Sequence, residues 1–224
     1  MTIFASDNVT PACPEVIRAI NEANNGEIDS YGNDQWSKNL NKKFSILFEK
    51  EVKVFTAITG TAANSLALSA LTPGYGNIYC HKISHINVDE CGAPEFFTGG
   101  AKLIPLDGNN GKFTAETLKR NIRGSGIVHN TQPSVVSITQ SCETGLLYQI
   151  NEVLEISEVA HKNGMKVHMD GARFSNAVAS LKKTPAEMTW KLGIDVLTFG
   201  GTKNWFLYAE AIIFFNHDYL VNLK

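Results

Sequence analysis

From about residue 50 onward, apolar and polar positions follow two alternating periods. Short runs rich in β-branched or aromatic residues occur at 52–56, 77–80, 102–106, 134–139, 166–169, 196–199 and 211–215. Several are almost continuously apolar, as strands buried on both faces are. Between them lie segments with helical spacing. Residues 61–71 carry Leu66, Ala67, Ala70 and Leu71 on that period, 114–122 is shorter, and 151–163 places Val153, Ile156 and Ala160 on one face. Gly164 stands where that helix should end. Upstream, Pro14 is suited to a first helical position and opens 15–25, with Val16, Ile17 and Ile20 expected to face inward. Strands alternating with helices predict an α/β fold with a largely parallel, doubly wound sheet. In such sheets ligands sit beyond the carboxyl ends of the strands, so those ends are where chemistry is sought.

Composition narrows the choice. The chain has 224 residues, 43% of them hydrophobic and 19% charged, enough apolar material for a sizeable core and too little charge for a disordered chain. Its formal net charge of −2 supplies no basic footprint, so neither nucleic acid nor a membrane surface is expected as a partner. Apolar runs such as 211–215 are too short to span a bilayer, and residues 1–7 lack the basic and apolar regions of a signal peptide. Cys13, Cys80, Cys91 and Cys142 show no paired spacing and read as reduced thiols of a cytoplasmic protein.

Four strand ends carry distinctive residues. After the first strand, Thr59-Gly60-Thr61-Ala62-Ala63-Asn64-Ser65 opens a helix with small residues and hydroxyls, a ready anion site or simply a capped helix. The run Val167-His168-Met169 leads into Asp170-Gly171-Ala172-Arg173, which sets opposite charges at one rim, as a strand-end salt bridge also would. In Gly200-Gly201-Thr202-Lys203-Asn204 the glycines permit close backbone approach. The lysine is then either a desolvated amine nucleophile or a solvated end cap. His81 and His85 follow the second strand; no acidic third ligand stands at metal-binding spacing, so one of them reads as a ring presented to a flat ligand or as a core histidine. Taken together, an anion cup, an aspartate, an arginine and a buried lysine are what pyridoxal phosphate requires.

On these residues the sequence resembles the threonine aldolase family of fold-type-I pyridoxal-phosphate enzymes. The resemblance runs through Ser6-Asp7-Asn8-Val9-Thr10, Tyr31-Gly32-Asn33-Asp34, Gly60-Thr61-Ala62-Ala63-Asn64, and His85 ahead of Glu90-Cys91-Gly92-Ala93. It continues through Ile138-Thr139-Gln140 with Glu143 and Gly145, Asp170-Gly171-Ala172-Arg173, Gly200-Gly201-Thr202-Lys203-Asn204 and Ala209-Glu210-Ala211. It implies a three-layer α/β/α domain on a mostly parallel seven-stranded sheet, with residues 1–30 as an N-terminal arm and helix, 31–224 as the cofactor-binding large domain, and no small C-terminal domain within the chain.

The resemblance also implies roles. Lys203 would hold pyridoxal 5′-phosphate covalently, Asp170 would pair with its ring nitrogen, and His85 would stack on the ring and serve in proton transfer at the substrate hydroxyl. Gly60, Thr61 and Ala62 would bind the phosphate. Arg173 with Ser6 would hold the substrate carboxylate. Tyr31 and Asp34 would line the site, across a subunit interface of a homodimer or homotetramer. The implied reaction is cleavage of L-threonine, L-allo-threonine and related β-hydroxy-α-amino acids to glycine and an aldehyde. The alternatives are a β-eliminating lyase or an aminotransferase on the same fold, or a non-catalytic remnant. The sequence departs from the family at Trp205-Phe206-Leu207-Tyr208, where small residues usually follow the lysine, and it stops soon after that segment.

Overall fold

The computed structural model describes residues 6–219; residues 1–5 and 220–224, and with them the outermost parts of the expected arm and large domain, lie outside the described residues. In chain order the elements are α1 (Pro14–Ala23), α2 (Gln35–Leu47), β1 (Lys53–Ala57), α3 (Gly60–Leu71), β2 (Gly76–His81), α4 (His85–Val88), α5 (Ala93–Phe97) and β3 (Lys102–Leu106). There follow α6 (Ala115–Asn121), β4 (Gln132–Thr139), α7 (Ile150–Lys162), β5 (Lys166–Gly171), α8 (Phe174–Leu181), β6 (Val196–Gly200) and β7 (Glu210–Phe214). All seven strands fall where the apolar runs place them. They form one sheet in the order β1-β7-β6-β5-β4-β2-β3. The five central and outer strands β6, β5, β4, β2 and β3 are parallel; β7 runs antiparallel to both β6 and β1.

The pleat divides each strand between two cores. Ile78, Val135, Val196, Ile212 and Phe214 pack on the side of α3 with Ala63, Ala67 and Leu68. Their neighbours Tyr79, Val136, Leu197, Ile213 and Phe215 pack on the other side with Leu118 of α6, Val153 and Ile156 of α7 and Ala177 of α8. This is the three-layer arrangement. On the far side Phe48 joins Phe44, Phe174 and Phe215 in a chain of ring contacts with centroids 5.2–6.3 Å apart.

Two differences from the sequence reading concern helices. The face of α1 expected to point inward does not: Ile17 and Ile20 are each 45% exposed and α1 buries no residue. That helix precedes every strand and lies outside the sheet's two cores, so its apolar spacing meets no partner within the described residues. Helices α2, α4, α5 and α8 are additions. The first is opened by Asp34, whose carboxylate accepts from the Ser37 N–H at 2.8 Å. It lays Leu40 and Phe44 against the core edge. Among the described residues no helix is long and apolar enough to cross a membrane.

The same pleat has a polar consequence on the α3 side. Ser137, Thr139, His168, Asp170 and Thr198 alternate with Val136, Ile138, Met169 and Leu197, and all five are buried. His168 is fully buried; its Nδ1 lies 2.9 Å from the Ser137 hydroxyl, and burial pushes its pKa down to about 4 despite the Asp170 charge nearby. An unfolded histidine titrates near 6.5, so between pH 6.5 and 4 the unfolded chain binds a proton the folded chain refuses. This contribution is therefore complete above pH 6.5 and is lost as pH falls. Going from pH 7 to pH 5 should cost about 2 kcal/mol from this group. Urea unfolding at the two pH values, compared with His168→Gln, checks it: the substitution should remove roughly that much of the pH dependence.

Candidate active site

At the carboxyl ends of the strands lies a cleft of about 510 Å³, walled by β5, β6, the start of α3, the start of α4 and the N-terminal segment. Four of the sequence-predicted elements converge on it. Asp170 and Arg173 come from the end of β5, and Lys203 from a 3₁₀ turn, Thr202–Asn204, after β6. His85 opens α4, and Gly60 and Thr61 open α3.

Asp170 is 4% exposed and doubly held: Oδ1 accepts from the Ala172 N–H at 3.0 Å and Oδ2 from Asn64 Nδ2 at 2.9 Å. His85 is held at two points. Its backbone N–H donates to Glu143 Oε1 at 2.9 Å, and its ring Nδ1 meets Glu90 Oε1 at 2.8 Å. The Glu90 hydrogen bond raises the His85 pKa above its ordinary 6.5, against the effect of partial burial and of the Lys203 charge.

The start of α3 leaves N–H groups that could receive an anion. Thr59 caps it, its hydroxyl accepting from the Ala62 N–H at 3.1 Å while its carbonyl takes the Ala63 N–H. The Gly60 and Thr61 N–H groups have no acceptor in the helix by geometry, and they face the cleft. Ala62, predicted as a third phosphate donor, is instead satisfied by its own cap and does not line the cleft. A Cβ on Gly60 would meet nothing within 4 Å, so the space over this helix end is open.

The glycines before Lys203 have a different use from the one expected. A Cβ on Gly200 would run into the Ala172 backbone, and one on Gly201 into the Ala209 carbonyl. They let protein strands close on each other rather than on a ligand, and they fix where the lysine emerges. Asn204 Nδ2 donates to the Gly200 carbonyl at 2.7 Å and the Gly201 N–H to Glu210 Oε2 at 3.0 Å, which pins the turn. Phe206, Leu207 and Tyr208 line the outer cleft, whereas Trp205 does not, its carbonyl accepting instead from the Cys13 N–H at 2.8 Å.

Arg173 is not free. Its Nε and Nη2 donate to the two carboxylate oxygens of Asp7 at 2.6 and 3.1 Å, a bidentate pair across 166 positions of sequence. Burial pushes the Asp7 carboxyl up, but the Arg173 guanidinium and the Lys203 charge outweigh it and leave its pKa below the usual range. Ser6, predicted to share the carboxylate with Arg173, caps the turn Asp7–Val9 by accepting from the Asn8 N–H, and it is Asn8 and Thr10 that reach the cleft. Tyr31 is 99% exposed and lies outside the cleft with Asp34, which is engaged in capping α2.

Five groups at the site have no role in the sequence reading: Asp7, Asn64, Glu90, Glu143 and Thr198. The period-two polar positions of β4, β5 and β6 were a signal for Thr198, since a fully buried strand has little reason to alternate.

Comparison with known proteins gives the family and the fold. A family model described as beta-eliminating lyase matches residues 4–223. The low specificity L-threonine aldolase of Pseudomonas sp. (strain NCIMB 10558) is 48% identical over 213 residues, 95% of this chain and 62% of that protein. The enzyme of the same name from Pseudomonas aeruginosa is 47% identical over 215 residues, covering 96% and 62%. Among solved structures, Leishmania major threonine aldolase superposes with a TM-score of 0.89 at 24% identity, over 97% of this chain and 63% of that one. The chain thus spans about 62% of the length of these curated relatives.

Two outcomes test the architecture. Gly200→Ala should destabilise the chain by about 2 kcal/mol, as overpacking against backbone does, measured by urea unfolding. Asp7→Asn removes the anion from a pair whose side chains are about one-third exposed, so global stability should fall by no more than about 1 kcal/mol. Amide exchange in residues 8–13 should nevertheless quicken severalfold, read by mass spectrometry.

Proposed function

From the premise that the chain belongs to the beta-eliminating lyase family, we propose that it is the cofactor-binding part of a pyridoxal-phosphate-dependent aldolase that cleaves L-threonine and related β-hydroxy-α-amino acids to glycine and an aldehyde. The observation that carries this reading is the convergence of Lys203, Asp170, His85, Arg173 and the open end of α3 on one cleft. The donor set fits the cofactor. An amine stands at the end of β6, a buried carboxylate at the end of β5, and two free N–H groups and a hydroxyl at a helix N-terminus suited to a phosphate. Thr202 also lines the cleft, and its hydroxyl is buried with no partner among the described residues.

When bound, pyridoxal phosphate supplies the electron sink that stabilises a carbanion at the substrate's α-carbon. The chain's residues do the rest. Lys203 holds the cofactor through its Nζ, and Asp170, fixed by Asn64 and the Ala172 N–H, offers its carboxylate to the ring nitrogen. Gly60 and Thr61 anchor the phosphate. Arg173 holds the substrate carboxylate and so orients the bond to be broken, a positioning role that requires the substrate to share the guanidinium with Asp7 or to displace it. His85, in its neutral form, takes the proton from the β-hydroxyl. Because Glu90 raises the His85 pKa, the acid limb of the rate profile should lie above pH 6.5.

The competing chemistries on this fold, elimination and amino transfer, differ in product, so the assay separates them. With pyridoxal phosphate added, the full chain should develop a visible absorption band and release glycine from L-threonine. Lys203→Ala should abolish the band and lower glycine release by about a thousandfold or more. A band that survives in Lys203→Ala removes the lysine from this role, and ammonia with a keto acid in place of glycine points to elimination.

A further inference from the structure

Asn64 has no part in the chemistry just described beyond touching Asp170, yet it occupies the centre of the cleft floor. It is 2% exposed, on α3, which packs across the polar face of β4, β5 and β6. Its Nδ2 donates both to Glu90 Oε1 at 2.8 Å and to Asp170 Oδ2 at 2.9 Å, so both N–H bonds of the amide are engaged by carboxylates. Its Oδ1 accepts from the Thr198 hydroxyl at 2.8 Å. The two carboxylates fix which way the amide points, since reversed it would turn its oxygen toward two acids.

The oxygen Glu90 Oε1 is shared. It receives Asn64 on one side and the His85 ring on the other. The Glu90 side chain is fully buried, and its second oxygen has no partner among the described residues. The carboxylate that holds His85 is therefore itself held by Asn64.

We propose that Asn64 is a positioning residue that couples the two halves of the site: through Glu90 it sets the charge and orientation of the His85 ring, and through Asp170 it sets the acid offered to the cofactor nitrogen. The inference rests on the reading of His85 and Asp170 as the groups that face the cofactor. Two carboxylates at one nitrogen repel each other. The amide between them, polarised by Thr198, is what lets both stand there. Loss of its donor leaves the Glu90 oxygen more basic and strengthens its hold on the proton it shares with His85, so the ring should keep that proton to higher pH. The other charges at the ring are Asp170 and Lys203, and Glu143 takes the backbone N–H of His85; none of these depends on the Asn64–Glu90 bond. A buried asparagine that merely satisfied its own polar atoms would not move a histidine it does not touch.

The test is an NMR titration of the histidine rings in the full chain without added cofactor, the His85 signal being assigned with His85→Asn. In the unaltered chain the His85 midpoint should lie above 6.5. Asn64→Ala should raise it by about one pH unit, the effect of losing one hydrogen bond to a charged group. Glu90→Gln should lower it instead, because the anion that holds the proton is gone. Adding Asn64→Ala to Glu90→Gln should then bring a further change of no more than about 0.3 unit, because the route through Glu90 is already cut. Thr198→Val leaves both carboxylates bonded to Asn64 and frees only the amide's far end, so it should give a smaller shift in the same direction as Asn64→Ala. It carries the test alone if circular dichroism shows Asn64→Ala unfolded. An unmoved His85 midpoint in the folded variant, or an equal shift with and without Glu90, overturns the proposal. The readout needs no pyridoxal phosphate, so a chain that fails to bind the cofactor sinks the aldolase reading and leaves this result standing.

Discussion

The structure depends on a fold that takes carboxylates out of water at the one end of the sheet where it also leaves an opening. Asp170 and Glu90 are both buried, and an unpaired buried carboxylate is among the most costly groups a protein can contain. The cost is met by donors from separate parts of the chain: an amide on α3, itself held by a hydroxyl on β6, a backbone N–H beyond β5 and an imidazole at the start of α4. None of these elements can slide without stranding a charge. The polar floor therefore specifies how α3 sits on the sheet, and the small residues Ala63, Ala67 and Ala70 let it lie close enough to do so.

Seen this way, the open N–H groups and the acidic floor belong to successive turns of one helix. The first turn of α3 points free N–H groups into the cleft, and its next turn carries Asn64 into the floor. A shift of α3 along its axis would displace both together. Gly200 and Gly201 act similarly: Gly200 admits the backbone of Ala172 and so locks the end of β6, which leads to Lys203, against the end of β5, which presents Asp170, while Gly201 admits the backbone of Ala209 ahead of β7. Their spacing is set by backbone contact, which is stiffer than side-chain packing.

Much of this was legible in the sequence. Seven apolar runs gave seven strands within a residue or two of their true limits, because strands buried on both faces leave little freedom in composition. Lys203, Asp170, His85, Gly60 and Thr61 stood out because each follows an apolar run and none belongs inside a core. The network behind them was harder to read. Asn64 and Thr198 look like ordinary residues of a helix and a strand, and Glu90 lies in a loop; only the register of β5 against β6 and the placement of α3 bring them together. Arg173 was found, but not its partner, since nothing local ties Asp7 to a residue so distant in sequence. The exposed face of α1 shows the opposite error: helical spacing reports a face that wants cover, not whether the rest of the described chain supplies it.

The tie between Asp7 and Arg173 has a practical side. The first described residues run directly past the mouth of the cleft, fastened there by one ion pair and by the Cys13–Trp205 backbone bond. A carboxylate arriving at that opening therefore meets a guanidinium already occupied by another, so its binding is an exchange of anions rather than an addition to an empty seat.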